Sequence, residues 1–143
     1  MKLRIQDDSI RYRLTLREVE DFAASGHLER TTQVLGPGGP TGCFCYALVH
    51  APEQSESTVV VEGGSITLRL GNADRETLLS PDSEGAYIHR EWKSPEGSVR
   101  CFMAFVEKDR PAATCNKPEV WIYDGRAGEP VETRPIPKAP SKA

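Results

Sequence analysis

The sequence predicts an α+β fold, a mostly antiparallel β sheet or barrel of about eight strands with two short helices. The strands and helices are expected to form two duplicated ββαββ halves. Three observations predict this fold. Short segments alternate apolar with polar residues, as half-buried strands do. Two short helical segments interrupt them. The order strand, strand, helix, strand, strand occurs twice along the chain.

The elements of the first half lie within residues 1–50. KLRIQ and SIRYRL both alternate apolar with polar or charged residues, and the DDS between them is typical of a turn, so they predict a hairpin. Thr15 and Glu18 have the spacing of a capping box, which begins a helix, and Ser25-Gly26 supplies a glycine that commonly ends one. HLERTTQVL and CFCYALVH, on either side of the loop GPGGPTG, are the remaining two predicted strands.

Residues 58–109 repeat this order of elements. VVVE and SITLRL are predicted strands joined by a tight Gly63-Gly64 turn. Asn72 is predicted to cap a short helix that ends at Leu79. AYIHREW and VRCFMAFVE, separated by the turn SPEG, complete the second half.

The likeness between the halves extends to individual residues. SIRYRL at residues 9–14 recurs as SITLRL at residues 65–70, and FCYALV at residues 44–49 aligns with CFMAFV at residues 101–106. This pattern indicates an ancestral duplication, in which each half has one apolar sheet face and the two faces are buried against each other. An antiparallel sheet of about eight strands often closes into a barrel, which also removes its edges.

We expect a single domain at residues 1–126, made of the repeats 1–50 and 58–109 and a further strand near residues 120–125. Residues 127–143 are rich in proline and lysine, and are predicted to be a tail with little capacity to form a core. The alternative for this tail is an extended segment that binds a partner protein.

Composition excludes some classes of function. The net charge of −3 argues against a general nucleic-acid binder, which would carry a basic excess. No apolar run approaches the ~18 residues of a membrane span. The N-terminal residues lack the apolar core of a signal peptide. We therefore expect a cytoplasmic protein with no nucleic-acid or membrane partner, in which the four cysteines are free thiols.

Basic residues recur on the polar side of the predicted strands. The arginine fork suits phosphate and carboxylate groups, so we assign an anion-binding site to Arg4, Arg11, Arg13 and Arg69, with Lys2 beside them. If this face curled inward it would form a cationic tunnel. Three glutamates could then hold a metal ion in the tunnel: Glu62, Glu91 and Glu107. The alternative is that this face lies in water and the arginines keep the protein soluble.

The cysteines form no recognisable metal-binding motif. Cys43-x-Cys45 puts two thiols on one strand face, whereas structural zinc favours a spacing of two to four residues across a turn. Completing such a site would need ligands from elsewhere in the chain: Cys101, Cys115, His50 and His89. We therefore predict buried cysteines that act as small hydrophobic residues, no metal ligand and no cofactor.

No catalytic residue is assigned either. The chain has three histidines but no nucleophile elbow of the G-x-S-x-G type. A Cys45–His50 or a Cys43–His89 pair is conceivable, but nothing in the sequence selects one of them. The glycines of LGPGGPTG do not match a phosphate-binding loop.

The segments MKLRIQDDSIRYRLTLREVEDFAASG, CFCYALV and CFMAFVEKD resemble a family of small uncharacterised bacterial proteins, a domain of unknown function. The resemblance covers roughly residues 1–50 and 99–109 and implies a bacterial, cytoplasmic setting without an established activity. The predicted topology is also weakly similar to the triphosphate tunnel metalloenzymes. Their first strand carries Glu-x-Glu-x-Lys where this chain has KLRIQ, so none of their catalytic residues is carried over.

The leading functional hypothesis is a non-enzymatic binding or interaction module that takes an unknown protein partner or an anionic small molecule. One alternative is a barrel enzyme acting on a phosphorylated substrate, and another is a self-assembling structural protein. A homodimer is left open. Carboxylates converging with the arginines in a concave site would favour the enzyme, and arginines spread on a wet surface would favour the module.

Overall fold

Each half of the chain forms two hairpins separated by one helix, as the repeat predicts. The computed structural model describes residues 1–109 in full, and the backbone alone of residues 119–123 and 130–135. The chain divides into two compact units, residues 1–109 and residues 110–143.

Alternating segments form the strands, and the two helices follow the second strand of each half. The first half contains β1 (Lys2–Gln6), β2 (Ser9–Leu14), α1 (Leu16–Ser25), β3 (His27–Gly36) and β4 (Gly39–His50). The second half contains β5 (Thr58–Glu62), β6 (Ser65–Leu70), α2 (Asn72–Leu79), β7 (Gly85–Lys93) and β8 (Val99–Lys108).

The halves exchange hairpins, so that each sheet combines one hairpin from each half. Sheet A has the strand order β1-β2-β8-β7, and sheet B has the order β3-β4-β6-β5. The hairpins are antiparallel, but the central pairs β2–β8 and β4–β6 are parallel, with Tyr12 beside Val106 and Leu48 beside Leu68. Both sheets are therefore mixed: two of the three strand pairs in each are antiparallel, in line with the mostly antiparallel sheet that was predicted, and the central pair is parallel.

The predicted barrel is wrong. Within residues 1–109 the eight strands form two separate four-stranded sheets, and the edge strands of one sheet do not pair with those of the other. The sheets instead bury their apolar faces in one shared cluster, so closure is not needed to hide them. Its fully buried members include Tyr12 and Val106 from sheet A, and Leu48 and Leu68 from sheet B.

The helices cover this core from corresponding positions, with Phe22 of α1 and Leu78 of α2 fully buried. The predicted capping box of α1 is present: the Thr15 hydroxyl accepts from the Glu18 amide, and the Glu18 carboxylate accepts from the Thr15 amide. The predicted cap of α2 is wrong by one residue. Gly71 is its N-cap, without a side-chain hydrogen bond.

In the second unit, β9 (Glu119–Tyr123) lies where a strand was predicted near residues 120–125. It pairs antiparallel with β10 (Pro130–Pro135), which lies within the predicted proline-rich tail, where no strand was expected. The predicted domain boundary after residue 126, the end of the tail and Cys115 lie outside the described residues. In the described part of the chain, no helix has the length and apolar character required to cross a membrane.

Candidate functional site

Four basic side chains occupy adjacent positions on the outer face of sheet A, the face turned away from the core. We call Lys2, Arg4, Arg11 and Arg13 the basic patch. β1 and β2 bring them together because their apolar residues alternate toward the core, which leaves the basic residues on the other face. In the register of this hairpin, Lys2 lies opposite Arg13 and Arg4 lies opposite Arg11.

Two carboxylates approach the patch from the end of sheet A. Glu107 lies 3.7 Å from Arg11 Nε and 3.6 Å from Arg13 Nη2, and Asp109 lies 3.6 Å from Arg13 Nε. These are ion pairs, but their distances exceed those of hydrogen bonds. Within residues 1–109 the guanidinium groups of Arg11 and Arg13 make no hydrogen bond, whereas Arg4 donates to the neutral Gln6 side chain over 2.9 Å.

Aromatic side chains continue the row of Arg4 and Arg11 across the sheet. Arg11 lies beside Phe105 on β8, which lies beside Tyr87 on β7. The Arg11 guanidinium stands 4.8 Å from the centre of the Phe105 ring, and the Phe105 and Tyr87 rings meet edge to face at 5.6 Å. The outer face of sheet A therefore combines cations with an edge-to-face pair of aromatic rings.

A shallow cavity of about 260 Å³ lies over the basic patch. Its lining consists of Lys2, Leu3, Arg4, Arg11 and Arg13. None of these five described residues carries a carboxylate. Glu107 and Asp109 therefore form ion pairs with the arginines but are not among the described residues that line the cavity.

The structure brings together three of the four arginines assigned from the sequence. Arg69 lies instead on the outer face of sheet B, beside Val49 of β4 and Thr58 of β5. Its guanidinium pairs with Glu53 over 2.6 Å. Arg69 therefore faces away from the basic patch on the far side of the core.

The three glutamates considered as metal ligands are also separated. Glu62 lies on β5 of sheet B, whereas Glu91 and Glu107 lie on sheet A. Glu107 is engaged with Arg11 and Arg13. The tunnel hypothesis, in which basic residues would line the inside of a curled sheet, has no counterpart in the two-sheet architecture of residues 1–109.

The cysteines were expected to be buried, and this prediction is wrong for the described ones. Cys43 and Cys101 are exposed, and Cys45 is half-buried. They lie on the outer faces of the two sheets rather than in the core, because their strands turn the intervening residues inward. Cys43 and Cys45 are on sheet B and Cys101 is on sheet A.

The conceivable catalytic pairs gain no support from the geometry. His50 Nε2 lies 2.7 Å from Asn72 Oδ1, so its ring is engaged with the start of α2. Cys43 and His89 lie on different sheets.

One cluster was not predicted as a group, although each of its members was considered separately as a metal ligand. His89, Glu91 and Cys101 are all exposed on sheet A, and their potential ligand atoms lie within 4.8 Å of one another. The signal that could have found them is cross-strand register: Glu91 is paired with Cys101, and His89 is two residues from Glu91 on the same face.

Residues 1–115 match a family of unknown function (DUF7009), so the resemblance noted from the sequence is confirmed and extends further along the chain than expected. No curated protein matches this chain. No solved structure matches it.

Proposed function

Because this chain belongs to a family of unknown function, DUF7009, we propose a function from its own geometry. The protein is a binding module that takes an anionic small molecule, carrying phosphate or carboxylate groups, on the basic patch of sheet A. This proposal keeps three of the arginines assigned from the sequence and replaces Arg69 with Lys2.

One observation carries the proposal: two pairs of like charges lie directly opposite each other, Lys2 with Arg13 and Arg4 with Arg11. Directly opposed like charges destabilise a strand pair. Glu107 and Asp109 form ion pairs with Arg11 and Arg13. Within residues 1–109 the Arg4 guanidinium donates only to the neutral Gln6 side chain, so a bound anion would offset the repulsion between Arg4 and Arg11.

Donor geometry supports the same ligand class. The guanidinium groups of Arg11 and Arg13 make no hydrogen bond within residues 1–109, so their planar donors are available to a phosphate or carboxylate. The cavity of about 260 Å³ is at the small end of ligand sites. A compact polyanion such as pyrophosphate fits these features, and the exposed ring of Tyr87, in the same row of the sheet, offers stacking surface for a nucleotide base.

The geometry favours a binding module over an enzyme. A phosphoryl-transfer or hydrolytic site needs a carboxylate or metal aimed at the reacting group, and the described lining of the cavity contains only Leu3 besides cations. The expectations of a protein partner, a homodimer and a cytoplasmic location stay predictions.

The test is thermal melting of the full chain against phosphate, pyrophosphate, triphosphate, nucleotides and dicarboxylates, each with and without magnesium or manganese. An anion that binds only the folded state at about 100 times its dissociation constant stabilises it by roughly 2.7 kcal/mol. We expect a saturable rise in melting temperature with at least one polyanion.

Control variants distinguish anion binding at the basic patch from a general effect of the protein's net charge. The double variant Arg4→Gln/Arg11→Gln should lose the anion-dependent rise, whereas Arg69→Gln, on the other sheet, should keep it. The absence of a rise with every anion, or an undiminished rise in the double variant, would contradict the proposal.

A further inference from the structure

The outer face of sheet A holds a second group of functional side chains, on β7 and β8 rather than on β1 and β2. His89 and Glu91 are alternate residues of β7, so they share one face, and Cys101 of β8 lies directly opposite Glu91. We propose that His89, Glu91 and Cys101 bind a transition-metal dication of the zinc type. This site is independent of the proposed anion binding.

The distances suit a metal. Their nitrogen, oxygen and sulfur atoms all lie within 4.8 Å of one another. A tetrahedral zinc ion with bonds of about 2.0–2.3 Å holds its ligand atoms roughly 3.5 Å apart. All three side chains are exposed, so small rotations about their side-chain bonds bring the three atoms to that separation without moving the core.

The donor set selects the class of metal. One imidazole, one thiolate and one carboxylate suit zinc and its neighbours in the transition series, whereas magnesium and calcium prefer oxygen ligands alone. The thiol of Cys101 must lose its proton to bind, so metal binding releases a proton to solvent. Three protein ligands leave a fourth position for water or another ligand, as in catalytic rather than structural zinc sites.

In the part of the chain that the structure describes in full, no other group competes for these side chains. Within residues 1–109 none of the three side chains makes a hydrogen bond or an ion pair with another residue. The neighbouring positions in the ladder, Arg90 beside Phe102 and Ile88 beside Ala104, are hydrogen-bonded strand residues that fix the backbone on both sides of the cluster. The ligands are therefore mounted on a regular sheet and only their side chains need to adjust.

The test uses the full chain without an affinity tag, stripped of metal by a chelator, and cobalt(II) as the probe. We expect one cobalt ion per chain, with the near-ultraviolet absorption of a thiolate–cobalt bond, and displacement of that cobalt by zinc. Cys101→Ser should abolish this absorption. His89→Ala and Glu91→Gln should each weaken cobalt binding by about tenfold or more, as even outer partners of metal ligands do.

Matched controls are Cys43→Ser, an exposed cysteine on sheet B, and Cys115→Ser. Both should bind cobalt like the unchanged chain. Because the three ligands are exposed, their variants should keep the native melting temperature, which shows that any loss of binding is not unfolding. The proposal is overturned if no thiolate–cobalt absorption develops, if it survives in Cys101→Ser, or if it disappears in Cys43→Ser or Cys115→Ser. Anion-dependent melting in Cys101→Ser should remain normal, which separates the metal site from the basic patch.

Discussion

The hydroxyl of Tyr12, on β2 of sheet A, donates a hydrogen bond across the core to the carbonyl oxygen of Ile66, on β6 of sheet B, over 3.2 Å. Tyr12 is fully buried, so this bond satisfies a hydroxyl group that water does not reach. The bond also joins the first half of the chain to the second. One side chain thus links the two sheets directly across the core.

Tyr12→Phe should lower the free energy of unfolding at neutral pH by about 1 kcal/mol, because it removes one buried hydrogen bond. Burial raises the pKa of Tyr12 above its ordinary value. The stability from its neutral phenol is therefore complete below the unfolded pKa of about 10 and is lost as the pH rises further, toward the folded-state pKa. Urea unfolding at neutral and alkaline pH should show a smaller alkaline loss for Tyr12→Phe than for the unchanged chain. Tyr87→Phe, at an exposed tyrosine, is the matched control, and an equal alkaline loss in both variants would contradict the expectation.

Glu18→Gln should destabilise the fold by about 1–3 kcal/mol at neutral pH, because it removes the charged acceptor of several hydrogen bonds to a buried carboxylate. Glu18 accepts hydrogen bonds from the Met1 ammonium group, Thr15 and Arg30. Burial opposes its ionisation most strongly, but these bonds together lower the pKa of Glu18 below its ordinary value.

The Glu18 carboxylate also makes the free energy of unfolding depend on pH at the acid end. A lowered folded-state pKa means that stability is present above the unfolded value of about 4.3 and is lost as the pH falls through the folded-state pKa. Unfolding measured between neutral and acid pH should therefore show a smaller acid loss in Glu18→Gln than in the unchanged chain. Glu20→Gln, on the exposed side of the same helix, should behave like the unchanged chain.

Gly85→Ala should destabilise the protein by about 2 kcal/mol or more, since a methyl group there overlaps the backbone of the neighbouring strand. Its Cβ would lie 2.8 Å from Glu107 Cα and closer still to the Val106 carbonyl oxygen. Gly38→Ala is the matched control, because a Cβ at that position has no atom within 4 Å. Thermal melting of both variants checks the expectation, and similar melting temperatures would show that β7 and β8 separate easily.

Arg4→Gln should leave the protein as stable or slightly more stable when no polyanion is present. It removes the repulsion with Arg11, worth up to about 1 kcal/mol for a directly opposed pair. The same change should reduce stabilisation by pyrophosphate. Arg17→Gln, at an exposed position on α1, should change neither quantity, and a loss of stability in anion-free Arg4→Gln would argue against repulsion in the patch.

Fragments 1–56 and 57–143 should each be unfolded alone and should fold when mixed. Each sheet needs one hairpin from each half, and a two-stranded hairpin is only marginally stable by itself. Circular dichroism of the separate and mixed fragments measures this. A folded first fragment would show that one half is sufficient for a core.

The local elements of this fold could be predicted because their determinants are close in sequence. The alternation of SIRYRL and SITLRL places Tyr12 and Leu68 in the core, and the Thr15–Glu18 pair begins α1 as expected. The register of a hairpin follows from its turn. The cross-strand pairing of the basic patch, Lys2 with Arg13 and Arg4 with Arg11, could therefore also have been predicted from the sequence. The Gly71 cap was not, since Asn72 is instead engaged by His50 from β4.

The sequence by itself determined the two halves, their strands and helices, and which residues of each strand share a face, because period and capping act over a few residues. Only the tertiary structure decided which hairpins share a sheet. The same apolar faces can be buried in a barrel or in two sheets, and the choice depends on the parallel contacts β2–β8 and β4–β6 between distant segments. That choice separated Arg69 from the other arginines. Pairing of β7 with β8 placed Cys101 opposite Glu91. This pairing formed the cluster of His89, Glu91 and Cys101, which the spacing of the cysteines along the sequence did not indicate.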